Sequence, residues 1–292
     1  MDQKIEKHAA MAAPAVFVFL WSTGFVVTKY ALASAEPLTY LALRMAIVVV
    51  ILAAVVAIFR PKMPNLMGVV HSAVAGLLVH GFYLGGTAIA IYHSVPVGLS
   101  ALIPGLQPIL TSTLASRWLG ERVTPVQWAG LVLGLTGVLL VLHDRQVSGA
   151  VGWGWFATGI ALLSITFGAL YQKRYCTQID WRSGNLVQFV AVTLLFTAGA
   201  FLFEDRTVRW NAEFVAALLW LSIVLSIGSI GVLYWLLRRS AATQVASLFY
   251  LVPAVTALMA YVLFDERLEW IAIVGVVACA AAVLLVNKGK RP

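Results

Sequence analysis

The sequence predicts an all-α membrane protein with ten transmembrane helices, arranged as a 5+5 inverted-topology repeat with both termini cytoplasmic. Three observations carry this prediction: a composition poor in charge, the spacing of long apolar segments, and a motif that recurs in the second half. Of 292 residues, 61% are hydrophobic and only 11% are charged, whereas soluble domains carry roughly 25% charged residues. A bilayer tolerates this composition because apolar surface need not be hidden from lipid.

Apolar segments of spanning length divide the chain, since a helix needs about 20 mostly apolar residues to cross the hydrocarbon core. The first segment is retained as a helix because it is of full spanning length and lacks the small-residue cleavage pattern of a secretory signal. Residues 1–10 and 288–292 are predicted to be cytoplasmic tails. The apolar runs predict helices at residues 11–32, 38–59, 66–91, 95–118, 123–142, 152–171, 184–203, 213–237, 241–264 and 268–287.

The distribution of Lys and Arg orients these helices. With a cytoplasmic N-terminus, fourteen basic residues fall inside, namely Lys4, Lys7, Arg60, Lys62, Arg117, Arg122, Lys173, Arg174, Arg182, Arg238, Arg239, Lys288, Lys290 and Arg291. Five fall outside, namely Lys29, Arg145, Arg206, Arg209 and Arg267. Cytoplasmic loops carry such an excess, so both termini are predicted to be cytoplasmic. Because the basic residues are scattered over short loops, the net charge of +8 does not indicate a nucleic-acid partner.

A motif in the first half recurs in the second half without a gap. The segment QPILTSTLASRWLGERVTPVQWAGLVLG aligns with VPAVTALMAYVLFDERLEWIAIVGVVAC. Pro108 corresponds to Pro253, an offset of 253 − 108 = 145 residues, and the same offset relates Glu121 to Glu266. These shared prolines and acidic turns predict a duplication, with repeats at residues 11–143 and 152–287.

A repeat unit of five helices has to enter the membrane in the opposite orientation when it is copied once. Two such halves, related by a pseudo-two-fold axis in the membrane plane, are a common design for alternating access to a site near the midplane. The competing interpretation is that duplication only produced a stable helix bundle.

Several motifs together resemble the drug/metabolite transporter superfamily, in particular its EamA-type exporters. They are WSTGFVVTKYAL in the first helix, EPLTYLALRMAIVV in the second, and the two proline-containing segments quoted above. Within that superfamily the chain is most similar to YddG-like aromatic amino-acid exporters. The pattern departs from the family at Ser22, and the corresponding segment LLSITFGALYQKR lacks the tryptophan.

This resemblance implies a central cavity walled mainly by helices 1, 3, 4, 6, 8 and 9. It also implies export of amino acids and related metabolites across a bacterial inner membrane. Export of another amphipathic solute, such as a purine, a vitamin or a cationic drug, is the main alternative. A membrane enzyme, a scramblase or a structural protein is disfavoured because no catalytic constellation or lipid-facing polar groove is evident.

Polar residues at membrane depth usually face the interior of the bundle. His80, Tyr83 and Thr87 share one face of the third helix, where they could hold the carboxylate and amine of a zwitterion. The alternative is an ordinary hydrogen bond between helices. The further candidates for substrate contact are Trp21, Ser22, Ser100, Gln107, Ser164, Phe167, Tyr234, Gln244 and Tyr250.

Other singled-out residues have a structural interpretation. Arg44 could bind a substrate carboxylate or bond backbone carbonyls, and its counterpart Gln188 lacks the charge, which favours the structural role. Pro108 and Pro253 weaken their helices and are predicted hinges, with a static kink as the alternative. Glu121 and Glu266 are predicted to cap the helices that follow them.

The missing features limit the mechanism. No acidic residue is predicted at the membrane centre, so His80 is the leading group if protons are coupled to transport, and uniport is equally compatible. No P-loop, HExxH or GxSxG pattern occurs, so neither ATP hydrolysis nor hydrolase activity is expected. Cys176 and Cys279 form no CxxC pair, and neither a metal nor a cofactor is predicted. A monomer is slightly favoured, with the bilayer and a small solute as partners.

Overall fold

The computed structural model describes residues 3–93, 95, 102–141, 152–264 and 270–288. Within these ranges, eight helices are long and apolar enough to cross a membrane, and Pro125–Val141 is a shorter apolar helix. The same ranges contain no named strand, and their only bridge of β type joins Ala35 to Val208. The predicted class, an all-α multi-pass membrane protein, is therefore confirmed.

The helices are numbered here in chain order, and contiguous segments of different helical type share one number. They are α1 (Gln3–Leu32), α2 (Pro37–Phe59), α3 (Leu66–Tyr92), α4 (Leu102–Trp118), α5 (Pro125–Val141), α6 (Gly152–Tyr175), α7 (Trp181–Phe203), α8 (Ala212–Arg239), α9 (residues 242–264) and α10 (Trp270–Lys288).

The predicted segments coincide with these helices, but several ends differ. Helix α1 begins inside the predicted cytoplasmic tail, at Gln3. Helix α7 begins at Trp181, before the predicted residue 184, because the Asp180 carboxylate accepts a hydrogen bond from the Arg182 amide at 2.9 Å and caps the helix. Part of the predicted segment 95–118 lies outside the described residues.

Helices α3 and α8 each contain a π-helical stretch, Leu77–Phe82 in one and Trp220–Ser229 in the other. Adding the repeat offset of 145 to residues 77–82 gives 222–227, which lies inside the second stretch. Such π-helical insertions are found frequently at functional sites. A binding site is therefore expected near these two π-helical stretches.

Helices of one half pack largely on helices of the other. Helix α2 runs along α7, α5 runs along α10, α3 packs on α6, and α1 packs on α8 and α9. Each helix has a counterpart in the other half, five helices away in the chain. The counterparts of α3 and α6 are α8 and α1, and these two helices are also in contact. The packing pattern is thus similar for the two halves.

Glu121 joins the ends of three helices. Its carboxylate accepts hydrogen bonds from the amides of Ala242, at 2.8 Å, and Thr243, at 3.3 Å, and lies 3.3 Å from Lys173 Nζ. The sequence analysis expected this carboxylate at the start of the following helix, but it caps α9 instead, whose free amides attract an anion. Glu266 lies outside the described residues.

A second carboxylate makes an equivalent contact between the halves. Glu204, at the end of α7, accepts hydrogen bonds from the amides of Leu38 and Thr39, each at 2.7 Å. It therefore caps α2, whose first residue, Pro37, has no amide hydrogen to satisfy. Each of these two carboxylates thus caps the start of a helix in the opposite half of the chain.

Candidate functional site

A cavity lies between α1, α2, α3 and α8, next to both π-helical stretches. The space inside it is about 40 Å³, enough for a few water molecules, so the cavity has to widen to hold a larger solute. Aromatic and aliphatic side chains cover most of its wall, with a limited number of polar groups. The lining residues are Trp21, Gly24, Phe25, Thr28, Arg44, Val79, His80, Tyr83, Leu84, Thr87, Leu225, Ser226, Ser229 and Ile230.

Arg44 brings a positive charge to the wall of this cavity. Its side chain is buried, its Nε donates to Ser226 Oγ at 3.1 Å, and its Nη1 donates to the Tyr40 hydroxyl at 3.1 Å. No carboxylate of the described residues lies within 4 Å of the guanidinium. The guanidinium bonds hydroxyls, whereas the structural role considered for Arg44 rested on backbone carbonyls.

His80 is held by a chain of buried polar groups. The Tyr234 hydroxyl donates to Gln188 Oε1 at 2.8 Å, and its oxygen lies 3.2 Å from His80 Nε2. A hydroxyl has only one proton to give, so His80 Nε2–H donates to Tyr234 and Nδ1 keeps a lone pair. Nδ1 has no hydrogen-bond partner among the described residues. The imidazole also stacks on Phe189, with ring centroids 4.5 Å apart. A buried acceptor is thus available beside the cavity.

Four aromatic rings pack together at the cavity wall, and we call Phe17, Trp21, Tyr83 and Phe249 the aromatic septum. Trp21 Nε1 donates to the Tyr83 hydroxyl at 3.2 Å. The Trp21 and Phe249 rings meet edge to face with centroids 5.2 Å apart, and Phe17 contacts both. Such edge-to-face pairs are a favourable arrangement of aromatic rings. The septum is therefore a well-packed barrier.

A second, smaller cavity lies on the other side of Phe249, between α4, α6, α8 and α9. It contains about 10 Å³ of space, room for one water molecule, and is lined by Gln107 and Thr111 among apolar side chains. Gln107 Oε1 and Thr111 Oγ1 are buried and have no hydrogen-bond partner among the described residues. Buried polar groups without partners favour water or a ligand in such a space.

Five of the predicted site residues line one of the two cavities. Trp21, His80, Tyr83 and Thr87 line the larger cavity, and Gln107 lines the smaller one. The Tyr234 hydroxyl contacts His80 Nε2, but Tyr234 itself lines neither cavity.

Other predicted site residues lie outside both cavity linings. The Tyr250 hydroxyl donates to the Leu131 carbonyl at 2.7 Å, the Phe167 ring packs on Trp118, and Ser22 donates to the Val18 carbonyl. These three side chains form contacts within or between helices, because the apolar bundle offers them backbone or aromatic partners. Ser164 and Gln244 are buried outside both linings, and Ser100 lies outside the described residues.

Four polar residues of the cavities were not predicted from the sequence, namely Thr28, Ser226, Ser229 and Thr111. Arg44, for which the sequence favoured a structural role, also lines the larger cavity. Serine and threonine are common inside membrane helices, so their identity alone gave no signal. The resemblance implied one cavity walled by helices 1, 3, 4, 6, 8 and 9. Among the described residues, two separate spaces lie along this predicted wall, and α2 contributes to the larger one through Arg44.

The two predicted hinge prolines lie in the wall helices α4 and α9. In α9, a 3₁₀ turn at Leu248–Tyr250 precedes Pro253, which cannot donate a hydrogen bond to the carbonyl one turn earlier. In α4, the Pro108 carbonyl accepts a hydrogen bond from Ser112 Oγ at 2.7 Å. Helix α9 is therefore irregular just before Pro253. The hinge role of both prolines stays a prediction.

Among the described residues, no group of three or more His, Cys, Asp or Glu side chains could hold a metal ion.

A multi-pass helical bundle with a partly polar cavity between its helices is an arrangement found in membrane transporters. The chain belongs to the EamA-like transporter family, whose sequence profile matches it twice, over residues 9–143 and 152–288.

Several bacterial relatives align with almost the whole chain. The uncharacterized inner membrane transporter YedA of Escherichia coli K12 is 26% identical over 274 residues, covering 93% of this chain and 88% of YedA. A probable amino-acid metabolite efflux pump of the same organism is 28% identical over 273 residues, covering 89% of this chain and 88% of the pump. The uncharacterized transporter YvbV of Bacillus subtilis is 25% identical over 289 residues, covering 95% and 91%.

One solved protein structure superposes with a TM-score of 0.76 at 19% identity, covering 97% of this chain and 99% of the other, which shows a shared fold. Together with the bacterial relatives and the apolar helices, the family identifies this chain as a multi-pass protein of the bacterial inner membrane. Family and relatives indicate a transporter and not an enzyme.

Proposed function

We propose that this protein exports amino acids from the cytoplasm, with aromatic and other neutral ones favoured. Transport proceeds by alternating access between two inverted five-helix halves with cytoplasmic termini. The observation that carries this proposal is the cavity between α1, α2, α3 and α8. Its wall combines aromatic and aliphatic surface with one guanidinium and an unpartnered imidazole nitrogen.

Three features support the inverted arrangement. The family profile matches the chain twice. The π-helical stretches of α3 and α8 occur at corresponding positions, and both helices begin at asparagine caps, Asn65 and Asn211, within one residue of the repeat offset. Each asparagine side chain accepts a hydrogen bond from an amide in the first turn of its helix, at 2.8 Å and 2.7 Å. An odd number of helices per half then inverts the second half.

The chemistry of the wall favours a zwitterion with an apolar side chain. The Arg44 guanidinium complements a carboxylate. His80 Nδ1 can accept a hydrogen bond from an ammonium group, and the faces of Trp21 and Tyr83 attract cations. Val79 and Leu225 offer apolar contact to the remaining part of the solute. The described lining contains no carboxylate that would select a purely cationic drug.

The experiment uses purified protein in liposomes and measures counterflow of labelled solute. The panel contains neutral amino acids, nucleosides and cationic drugs. Exchange of aromatic amino acids is expected. Exchange confined to nucleosides or cationic drugs would replace this proposal by the alternative, export of another amphipathic metabolite.

Replacing His80 by alanine is expected to reduce amino-acid counterflow about tenfold, because one buried hydrogen bond to an ionic group contributes roughly 1.5–3 kcal/mol. His71→Ala is the matched control, since His71 lies on the same helix and bonds Tyr171, away from the cavity. Folded yield is compared by gel filtration. Unchanged flux in folded His80→Ala protein would remove His80 from the site.

A further inference from the structure

The charge of Arg44 lacks compensation among the described residues. Its side chain is 4% exposed, and a cation at this depth of a membrane protein is normally paired with an anion or with carbonyls. Here its two hydrogen bonds go to neutral hydroxyls, those of Ser226 and Tyr40. A purely structural guanidinium would be expected to bond carbonyls or a carboxylate.

The unused donors of Arg44 belong to a cavity wall. A guanidinium has five N–H donors, and Nη2 makes no hydrogen bond within the described part of the chain. Ser229 Oγ lines the same cavity, is buried, and has no partner there either. One charged fork and one free hydroxyl therefore share a space that is otherwise mostly apolar.

We propose that Arg44 binds the carboxylate of the transported solute through its free guanidinium nitrogen, assisted by Ser229. This proposal rests on the proposed export of amino acids and names the group that selects them. One cation suits a monoanionic carboxylate, whereas a dianionic phosphate would need further basic residues, and the described lining contains no other arginine or lysine. Arg44 is thus a specificity-determining residue for solutes with a carboxylate.

The competing role is structural, since Arg44 also links α2 to α8 through Ser226. The two roles differ in a measurable way. A structural link affects every solute equally when it is removed. A carboxylate-binding residue affects only those solutes that carry a carboxylate, so a ligand series separates the roles.

The test compares phenylalanine, 3-phenylpropionate, phenylalaninamide and phenethylamine as competitors of labelled phenylalanine in counterflow. In the unaltered protein, the two carboxylates are expected to compete at least tenfold more strongly than the two analogues without one, the range of one charge-assisted hydrogen bond. Arg44→Gln is expected to abolish this preference. Arg44→Lys is expected to keep part of it, because lysine retains charge but lacks the fork.

Arg117→Gln is the matched control, since Arg117 is exposed at the end of α4, and it should keep the full preference. Equal competition by all four compounds in the unaltered protein would overturn the inference without any variant. So would a preserved preference in folded Arg44→Gln protein, even if amino acids are exchanged normally.

A binding measurement can disprove amino-acid export without disproving the carboxylate site. Stabilisation against heat by 3-phenylpropionate is measured in detergent, where a ligand raises the unfolding temperature only if it binds the folded state. If no amino acid is exchanged but 3-phenylpropionate stabilises the unaltered protein and not Arg44→Gln, amino-acid export is wrong and the carboxylate site stands.

Discussion

Replacing Gly275 by valine is expected to lower the thermal unfolding midpoint by on the order of 5 °C and to reduce the folded yield. Helices α5 and α10 approach each other at this glycine. A Cβ atom on Gly275 would lie 2.6 Å from the Gly137 carbonyl oxygen, and one on Gly137 would lie 2.8 Å from the Gly275 carbonyl oxygen. Both obstacles are backbone atoms, which cannot rotate away as a side chain can.

The size of the effect follows from overpacking. Forcing extra atoms into a close-packed contact typically costs about 1–3 kcal/mol, and each kcal/mol shifts the midpoint by roughly 2–4 °C in a protein of 150–250 residues. Gly159→Val is the matched control, because nothing lies within 4 Å of a Cβ at that exposed position of α6. Equal midpoints for the two variants would refute the close contact of α5 and α10.

Trp21→Ala is expected to reduce the accumulation of label in counterflow at least tenfold. The Trp21 ring lines the larger cavity and contacts Phe249, which lines the smaller one. Its removal therefore opens the aromatic septum between the two spaces. It also removes the hydrogen bond to Tyr83, and truncating a buried aromatic side chain costs roughly 3–5 kcal/mol.

Opening the septum is expected to let solute leak through the protein. Unlabelled solute escapes from the vesicles without exchange, so the gradient that drives accumulation disappears. Release of preloaded phenylalanine is measured beside counterflow, and Trp153→Ala, at the 70% exposed Trp153 of α6, serves as the matched control. Trp21→Phe is expected to preserve part of the barrier. Full accumulation and an unchanged rate of release in Trp21→Ala would show that the septum is no barrier.

Much of the fold could be predicted because lipid imposes a simple rule on composition. Apolar runs of spanning length gave the helices, and only their ends differed where a cap such as Asp180 extended α7. The π-helical stretches could not be predicted, since a change of helical pitch over 6 residues in α3 and 10 residues in α8 leaves the apolar composition of a spanning helix unaltered. Their side chains include His80 and Ser226, which line the cavity.

The candidate site was predictable only in part. His80 and Tyr83 share a face that a helical pattern reveals, and both line the cavity. Tyr250 looked equally suitable in sequence, but its hydroxyl bonds Leu131 in α5, a partner that only the packing of α5 against α9 provides. For Arg44 the sequence favoured a structural role. Only the packing of the surrounding helices shows that its partners are hydroxyls and that it has no carboxylate partner among the described residues.

The central claim is that the second half lies inverted relative to the first. Arg122 precedes α5 and Trp270 begins α10, and both positions are exposed. Single cysteines at these two positions are to be labelled with a membrane-impermeant maleimide in spheroplasts. The native thiols give little background, since Cys176 and Cys279 are buried and burial raises the pKa of the Cys176 thiol to about 11.

The account predicts that Trp270→Cys reacts from outside intact cells, and that Arg122→Cys reacts only after the membrane has been permeabilised. Reaction of both cysteines from the same side would contradict the inverted repeat, and with it the proposed alternating access.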